Sequence, residues 1–219
     1  MKSVIAMIFT LLFSINLYAA DKGSENDLRK TALPGTVALT FDDGPDPTFT
    51  PQILAILKKY NIKATFFVVG MNAERYPDLI KAIHDQGHIV ASHSQTHPML
   101  TKISEAQLQN EISKPSEIVF AIIGQKPKCL RYPFGASNTH VRTAIREHGM
   151  TPTPMGFNSF DYDRPGVDKI ASQVLNNLYS KQVILMHDGF AKREQTVAAL
   201  PIIIEGIKKK GLGFSTVCD

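Results

Sequence analysis

Asp42 and Asp43 stand side by side where an apolar, β-branched run, Thr36-Val-Ala-Leu-Thr-Phe, gives way to Gly44-Pro45. Such a run reads as a buried strand and the Gly-Pro pair as its stop, so two carboxylates sit at a strand end. In a barrel of alternating strands and helices, the C-terminal strand ends form the catalytic face. Taken alone, Asp-Gly-Pro is equally well a turn in which Asp43 bonds its own backbone.

Three further segments repeat the pattern of a polar group at a strand end. His93-Ser-Gln-Thr-His97 follows a short apolar run. A spacing of four puts both imidazoles on one face if the segment is a helical turn, close enough to grip one ion. Hydrolytic zinc sites combine His and carboxylate ligands and keep a position for water, and Asp43 is the carboxylate at an equivalent strand end. The segment lacks the inner Glu of H-E-x-x-H, so zinc-protease chemistry is not indicated. Two surface histidines with helical spacing are the commoner origin of such a pair. Arg131-Tyr-Pro-Phe-Gly135 offers a guanidinium that can orient a carboxylate, in a loop whose Pro and Gly can aim N–H groups inward. Val183-Ile-Leu-Met-His187-Asp188 ends in a histidine able to pass a proton to a leaving group near neutral pH. Each signal has a structural explanation on its own; four together are harder to assign to chance.

The elements that must position these residues alternate regularly. Helices are expected from about Pro51 to Tyr60 with Thr50 as N-cap, from Tyr76 to Asp85, from a capping box at Ser104, from Val141 to His148, from Val167 to Leu178 and from Thr196 to Lys210. Pro115 is expected to kink or break the helix opened at Ser104. Strands are expected at 64–69, 88–92, 128–132, 182–186 and 213–217, with a weaker extended stretch at 150–155. Alternation of this kind means parallel strands with crossover helices, in an open sheet or a barrel.

The 219 residues, 43% hydrophobic and 20% charged, suit one well-buried domain. Met1-Lys-Ser, an apolar run from Val4 to Leu17 and the small residues Ala19-Ala20 have the layout of a secretory signal peptide. The run is shorter than the ~20 apolar residues that span a bilayer, so stable membrane insertion is not expected. The reading is therefore a signal peptide over 1–20, a flexible lead-in over 21–33 and one domain over 34–219, exported to the periplasm or the medium. A net charge of +4 without a block of like charges disfavours nucleic acid as a partner. In an oxidising compartment Cys129 and Cys218 form a disulfide or remain two buried thiols; both readings stay open.

Taken together, these segments resemble the polysaccharide deacetylase family, the NodB-homology domain of carbohydrate esterase family 4. The match lies in T-F-D-D-G-P at Thr40 to Pro45, A-T-F-F-x-x-G at Ala64 to Gly70, H-S-x-x-H at His93 to His97, R-x-P-x-G at Arg131 to Gly135 and I-L-x-H-D at Ile184 to Asp188, in family order. The resemblance implies an α/β fold, a distorted (β/α) barrel of about seven parallel strands. It further implies that Asp43, His93 and His97 bind a divalent metal, usually Zn²⁺. Asp42 would be the general base, oriented by Arg131, and His187 the general acid. Leu185 would face the acetyl methyl group, and the Tyr132 N–H would help hold the oxyanion.

One motif departs from the family pattern. An Asp-Trp pair commonly precedes the last motif; Asp161-Tyr162 is the best match here, the chain has no Trp, and Asn158 stands where many members carry another Asp. Asp161 would tune His187, and Tyr162 would replace the aromatic wall. The expected reaction is metal-dependent hydrolysis of N-acetyl groups from an amino-sugar polymer or oligomer, peptidoglycan or chitin-like. The alternatives are an O-acetyl esterase on acetylated polysaccharide and a non-catalytic glycan-binding envelope protein. Asp42 and His187 together argue against the last, because a binding module needs neither. Oligomeric state is left open.

Overall fold

The computed structural model describes residues 31–219. The signal peptide read at 1–20, and the lead-in up to residue 30, lie outside the described residues. In chain order the elements are β1 (Thr36–Asp42), α1 (Phe49–Tyr60), β2 (Thr65–Val68), α2 (Gly70–Arg75), α3 (Pro77–Asp85), β3 (Ile89–Ser92), α4 (Glu105–Ile123), β4 (Cys129–Arg131), α5 (Thr139–Glu147), β5 (Thr151–Thr153), β6 (Phe157–Asn158), α6 (Val167–Asn176), β7 (Val183–His187), α7 (Glu194–Lys209) and β8 (Gly213–Phe214). Seven strands pair in the order β5-β4-β3-β2-β1-β7-β6, and β8 pairs with the start of β1. Every pairing is parallel. The sheet curls into a half-barrel wrapped by helices, which settles the alternation's choice between open sheet and barrel and is the distorted α/β barrel that the family resemblance implies.

The two-residue period of a strand divides each one into a face toward the helices and a face toward the barrel interior. On β1, Val37, Leu39 and Phe41 join the main core with Ile53, Leu57, Ile184, Met186, Leu200 and Ile204. Ala38, Thr40 and Asp42 alternate with them and point inward. Ala38 packs low in the barrel with Phe67, Ala91, Cys129, Val183 and Cys218. Two residues further along β3's path, β4 and β7 come His93, Arg131 and, past Leu185, His187. An apolar floor beneath a polar mouth follows from the period alone.

Several expectations change in the structure. Pro115 does not break α4, which runs through from Glu105 to Ile123; its missing N–H removes only the rung to the Glu111 carbonyl, and packing of the flanking turns carries the helix past it. The expected capping box is present, with the Ser104 hydroxyl and the Gln107 side chain bonded reciprocally. Thr50 is not the cap of α1. Asp46 Oδ1 accepts the N–H groups of Thr48 and Phe49, while Thr50 is buried inside the first turn and donates to Asp188 at 2.5 Å. The short elements α2 and β6 were not anticipated, since six and two residues are too short to show a period. The last strand stops at Phe214. Cys129 and Cys218 are bonded to each other with Cα atoms 5.7 Å apart, which decides between the two open readings. No helix among the described residues is long and apolar enough to cross a membrane.

Candidate active site

A cleft of about 410 Å³ opens at the C-terminal ends of the strands, lined by Asp42, Asp43, His93, His97, Tyr132, Leu185 and His187, with Tyr162, Phe134, Met155 and Asn158 at its sides. All ten residues singled out from the sequence lie in this cleft or directly behind it. Arg131 and Asp161 are the two behind it, both buried.

Asp42 ends β1, and Arg131 ends β4 on the same interior face. The Arg131 guanidinium donates through Nη1 to Asp42 Oδ1 at 2.6 Å and to Thr40 Oγ1 at 2.9 Å, and through Nε to the Pro154 carbonyl at 3.2 Å. Its Cζ lies over the Phe67 ring, 3.9 Å from the ring centre. Arg131 is 0% exposed, so it acts on Asp42 as a rigid buried partner and not as a mobile surface charge. This leaves Asp42 Oδ2 as the oxygen turned toward the cleft, 3.7 Å from His93 Nε2.

Asp43 follows with φ of 75°, a left-handed conformation that swings its side chain toward the histidines. His93 Nδ1 lies 2.7 Å from the Arg131 carbonyl and can only donate to it, which leaves the Nε2 lone pair facing the cleft. Asp43 Oδ1 is 3.6 Å from His93 Nε2 and 3.4 Å from His97 Nε2, and it is buried without a hydrogen-bond partner. The potential ligand atoms of Asp43, His93 and His97 all lie within 4.8 Å of one another. Burial lowers the pKa of both imidazoles and raises that of Asp43. An unsatisfied carboxylate oxygen facing two neutral imidazole nitrogens suits a divalent cation, and an N₂O donor set suits zinc.

The histidines do not converge as a helical turn would bring them. Residues 93–97 form an irregular loop with Ser94 at φ of 67° and His97 at 63°. The ring centres end 4.8 Å apart because the loop doubles back, and not because of a 3.6-residue period.

His187 ends β7. Its Nδ1 is 2.7 Å from Asp161 Oδ1, and its backbone N–H donates to Asp161 Oδ2 at 2.8 Å. The Thr196 hydroxyl donates to Oδ2 at 2.8 Å, and Ser159 reaches Oδ1 at 3.2 Å. Burial works to lower the His187 pKa, but the Asp161 hydrogen bond and charge outweigh it and the net shift is upward. Asp161 moves down: burial opposes this, and the bonds from His187 and Thr196 prevail. The Tyr162 ring meets the His187 ring edge-on at 5.5 Å.

A family model described as polysaccharide deacetylase matches residues 29–153. A Bradyrhizobium chitooligosaccharide deacetylase is 34% identical to the chain over 80% of it and 86% of the relative. The chain belongs to the polysaccharide deacetylase family. A peptidoglycan-N-acetylglucosamine deacetylase of Bacillus cereus is 39% identical over 83% of this chain, which spans 66% of that longer relative. A crystal structure of a peptidoglycan N-acetylglucosamine deacetylase bound to an N-hydroxybenzamide superposes with a TM-score of 0.82 at 36% identity, covering 85% of this chain and 88% of the other. As a member of this family the chain is a hydrolase directed at carbon–nitrogen bonds other than peptide bonds.

Several residues at the site of this deacetylase escaped the sequence reading. Phe134 and Phe190 flank the His97 ring at 4.7 and 5.3 Å. Asn72 donates to the Asp43 carbonyl at 2.9 Å. Arg193 is a second buried guanidinium, held by the Gly189 carbonyl and 3.9 Å from Asp43 Oδ2. Nothing in local spacing announces them. Glu111 left a readable trace: an acid on the apolar stripe of α4 between Leu108 and Pro115, where a charge needs a buried partner.

Proposed function

We propose that this protein removes N-acetyl groups from an amino-sugar polymer or oligomer of the peptidoglycan or chitin type, with a divalent cation, zinc by its donor set, held by Asp43, His93 and His97. The observation that carries the reading is the cleft geometry: an oriented carboxylate, Asp42, and an Asp161-backed imidazole, His187, border the candidate cation-holding triad. Bound there, such a cation would supply Lewis-acid polarisation and bring the pKa of water to roughly 7.

The chain's own residues account for the proton traffic. Amide hydrolysis adds a water oxygen to the carbonyl carbon, breaks the C–N bond and leaves acetate and a free amine. Asp42, with Oδ1 tied to Arg131 and Oδ2 free, takes the proton from the attacking water. His187, whose raised pKa keeps it protonated above its ordinary range, gives a proton to the departing nitrogen, which otherwise leaves poorly. The Tyr132 backbone N–H would steady the developing oxyanion, a contribution of about 3 kcal/mol for one such donor. Leu185, two residues before His187 on the same face of β7, offers the apolar contact for the acetyl methyl. The leader-like first twenty residues support export, so the substrate would be met outside the cytoplasm.

The test is acetate release by the mature protein from N-acetylglucosamine oligomers and from purified peptidoglycan, with zinc, after chelation, and after zinc is restored. Release that follows the metal from at least one polymer is the expected result. No release from either polymer by metal-loaded protein, with cleavage of an acetyl ester, would move the reading to O-deacetylation.

A further inference from the structure

The loop carrying both histidines, 93–97, is held from two sides. On one side the first N–H groups of α2 donate into it, Gly70 to the Ser94 carbonyl at 2.9 Å and Met71 to the Gln95 carbonyl at 3.0 Å. This approach requires Gly70 itself, since a Cβ there would lie 2.1 Å from Gln95 Oε1 and 2.9 Å from Pro115 Cβ. On the other side stands one residue of α4, Glu111. Its Oε2 accepts the N–H groups of Gln95 and Thr96, each at 2.8 Å, and its Oε1 accepts the Thr96 hydroxyl at 2.6 Å. Glu111 is 6% exposed and belongs neither to the cleft lining nor to the candidate ligand set.

This arrangement bears on the site because the loop is strained at both flanks. Ser94 and His97 adopt left-handed backbone, which is unfavourable at a non-glycine residue and persists only where surrounding bonds over-determine it. Three bonds to one buried carboxylate, all shorter than 2.9 Å, are of the charge-assisted kind and about twice as strong as neutral ones. They lock the two peptides between the strained positions, and His97 follows directly after.

We propose that Glu111 is the positioning residue of the candidate metal centre: by clamping Gln95 and Thr96 it sets the approach of His97 to His93 and Asp43. The proposal rests on the reading of Asp43, His93 and His97 as cation holders. Outer partners that orient a ligand cost about 10–100-fold in metal affinity when removed. A carboxylate on a backbone loop acts in the same way, through the ligand's main chain instead of its ring.

The experiment measures Zn²⁺ affinity by competition with a chromophoric chelator, and the visible spectrum of the Co²⁺-loaded protein. The proteins compared are wild type, Glu111→Ala, Glu111→Gln, Thr96→Val and His93→Ala, each first confirmed as folded in its metal-free form by circular dichroism. Glu111→Ala is expected to bind Zn²⁺ about 10–100-fold more weakly and to show an altered Co²⁺ spectrum at saturation. Glu111→Gln, which keeps one acceptor oxygen, and Thr96→Val, which keeps both N–H bonds, should fall between it and wild type. A merely structural clamp would lower the melting temperature of the metal-free variants and leave affinity and spectrum unchanged at temperatures where they are folded. That outcome overturns the proposal. Should Glu111→Ala not fold, wild-type affinity and spectrum in both Glu111→Gln and Thr96→Val overturn it equally. If wild type binds no metal, or His93→Ala binds as well as wild type, the reading of the triad fails, which is distinguishable from failure of the role of Glu111 alone.

Discussion

Asp42 and His187 are register partners in the parallel ladder of β1 and β7, so a carboxylate and an imidazole leave neighbouring strands side by side on the interior face. The pairing is locked just beyond them. The Asp188 N–H donates to the Asp42 carbonyl at 3.0 Å, and a Cβ on Gly44 or Gly189 would fall 2.2 Å from Asp188 Oδ2 or 2.1 Å from the Asp43 carbonyl oxygen. The spacing of the proposed base and acid is thus a property of the sheet.

Separate roles for adjacent carboxylates predict separate phenotypes. Asp42→Asn is expected to retain bound zinc and lose acetate release by about 10²–10⁴-fold, the range for removal of a general base. His93→Ala is expected to lose zinc and activity together. Metal content by atomic absorption alongside initial rates checks both, and equal metal loss in the two variants would overturn the division.

The acid limb should follow Asp161. Burial alone would lower the His187 pKa, and Asp161 raises it past that effect. The protonated, proton-giving form exists below this pKa and is lost as pH rises through it. Asp161→Asn removes the raising cause, so the alkaline limb of kcat is expected to move to lower pH. A pH–rate profile with that limb unchanged would contradict the assignment.

Arg131 and Asp42 form a buried pair in which each charge depends on the other. Arg131→Met strands Asp42 in the interior, and loss of one partner of such a pair costs about 3–5 kcal/mol. Denaturant titration should show that loss. The double variant Arg131→Met with Asp42→Asn should recover part of it, because the unpaired charge is then gone.

Asp188 titrates where carboxylates ordinarily do not. Burial raises its pKa to about 7, against the Thr50 hydrogen bond, which lowers it. A carboxyl whose folded pKa exceeds its unfolded value contributes stability that is complete below about 4 and disappears as pH rises through 7. The metal-free protein is therefore expected to lose stability between about pH 4 and 7 more steeply than Asp188→Asn, with the difference levelling off above 7, measured by thermal melts across that range.

The disulfide closes 89 residues of chain and anchors the C-terminus to β4, two residues before Arg131. Chain-entropy arguments give about 4.6 kcal/mol for a loop of this length. Denaturation midpoints with and without reductant, and for Cys129→Ala combined with Cys218→Ala, should show a loss of that order.

Much of this was legible in the chain. The alternation of elements is written in local hydropathy, because a strand covered on both faces must be continuously apolar and a crossover helix must be amphipathic. The strand-end residues Asp42, His93, Arg131 and His187 were readable for the same reason, since apolar runs end where the barrel mouth opens. Signals spanning a few residues, such as the Ser104 capping box, also stood out. The misreadings at Thr50 and Pro115 share one cause: local propensity was outweighed by tertiary partners, Asp188 for the threonine and the packing of α4 for the proline.

Local residue order specifies the parallel strands and the chemical groups at their ends. Long-range contacts in the folded chain bring His93 and His97 together through a strained loop instead of a helical turn, bond Cys129 to Cys218, and set Arg193 and Glu111 behind the cleft. Those relationships join residues from separate elements, such as Gln95 to Glu111 and Asp43 to Arg193. Their energies depend on burial and direction, which residue spacing along a chain does not encode.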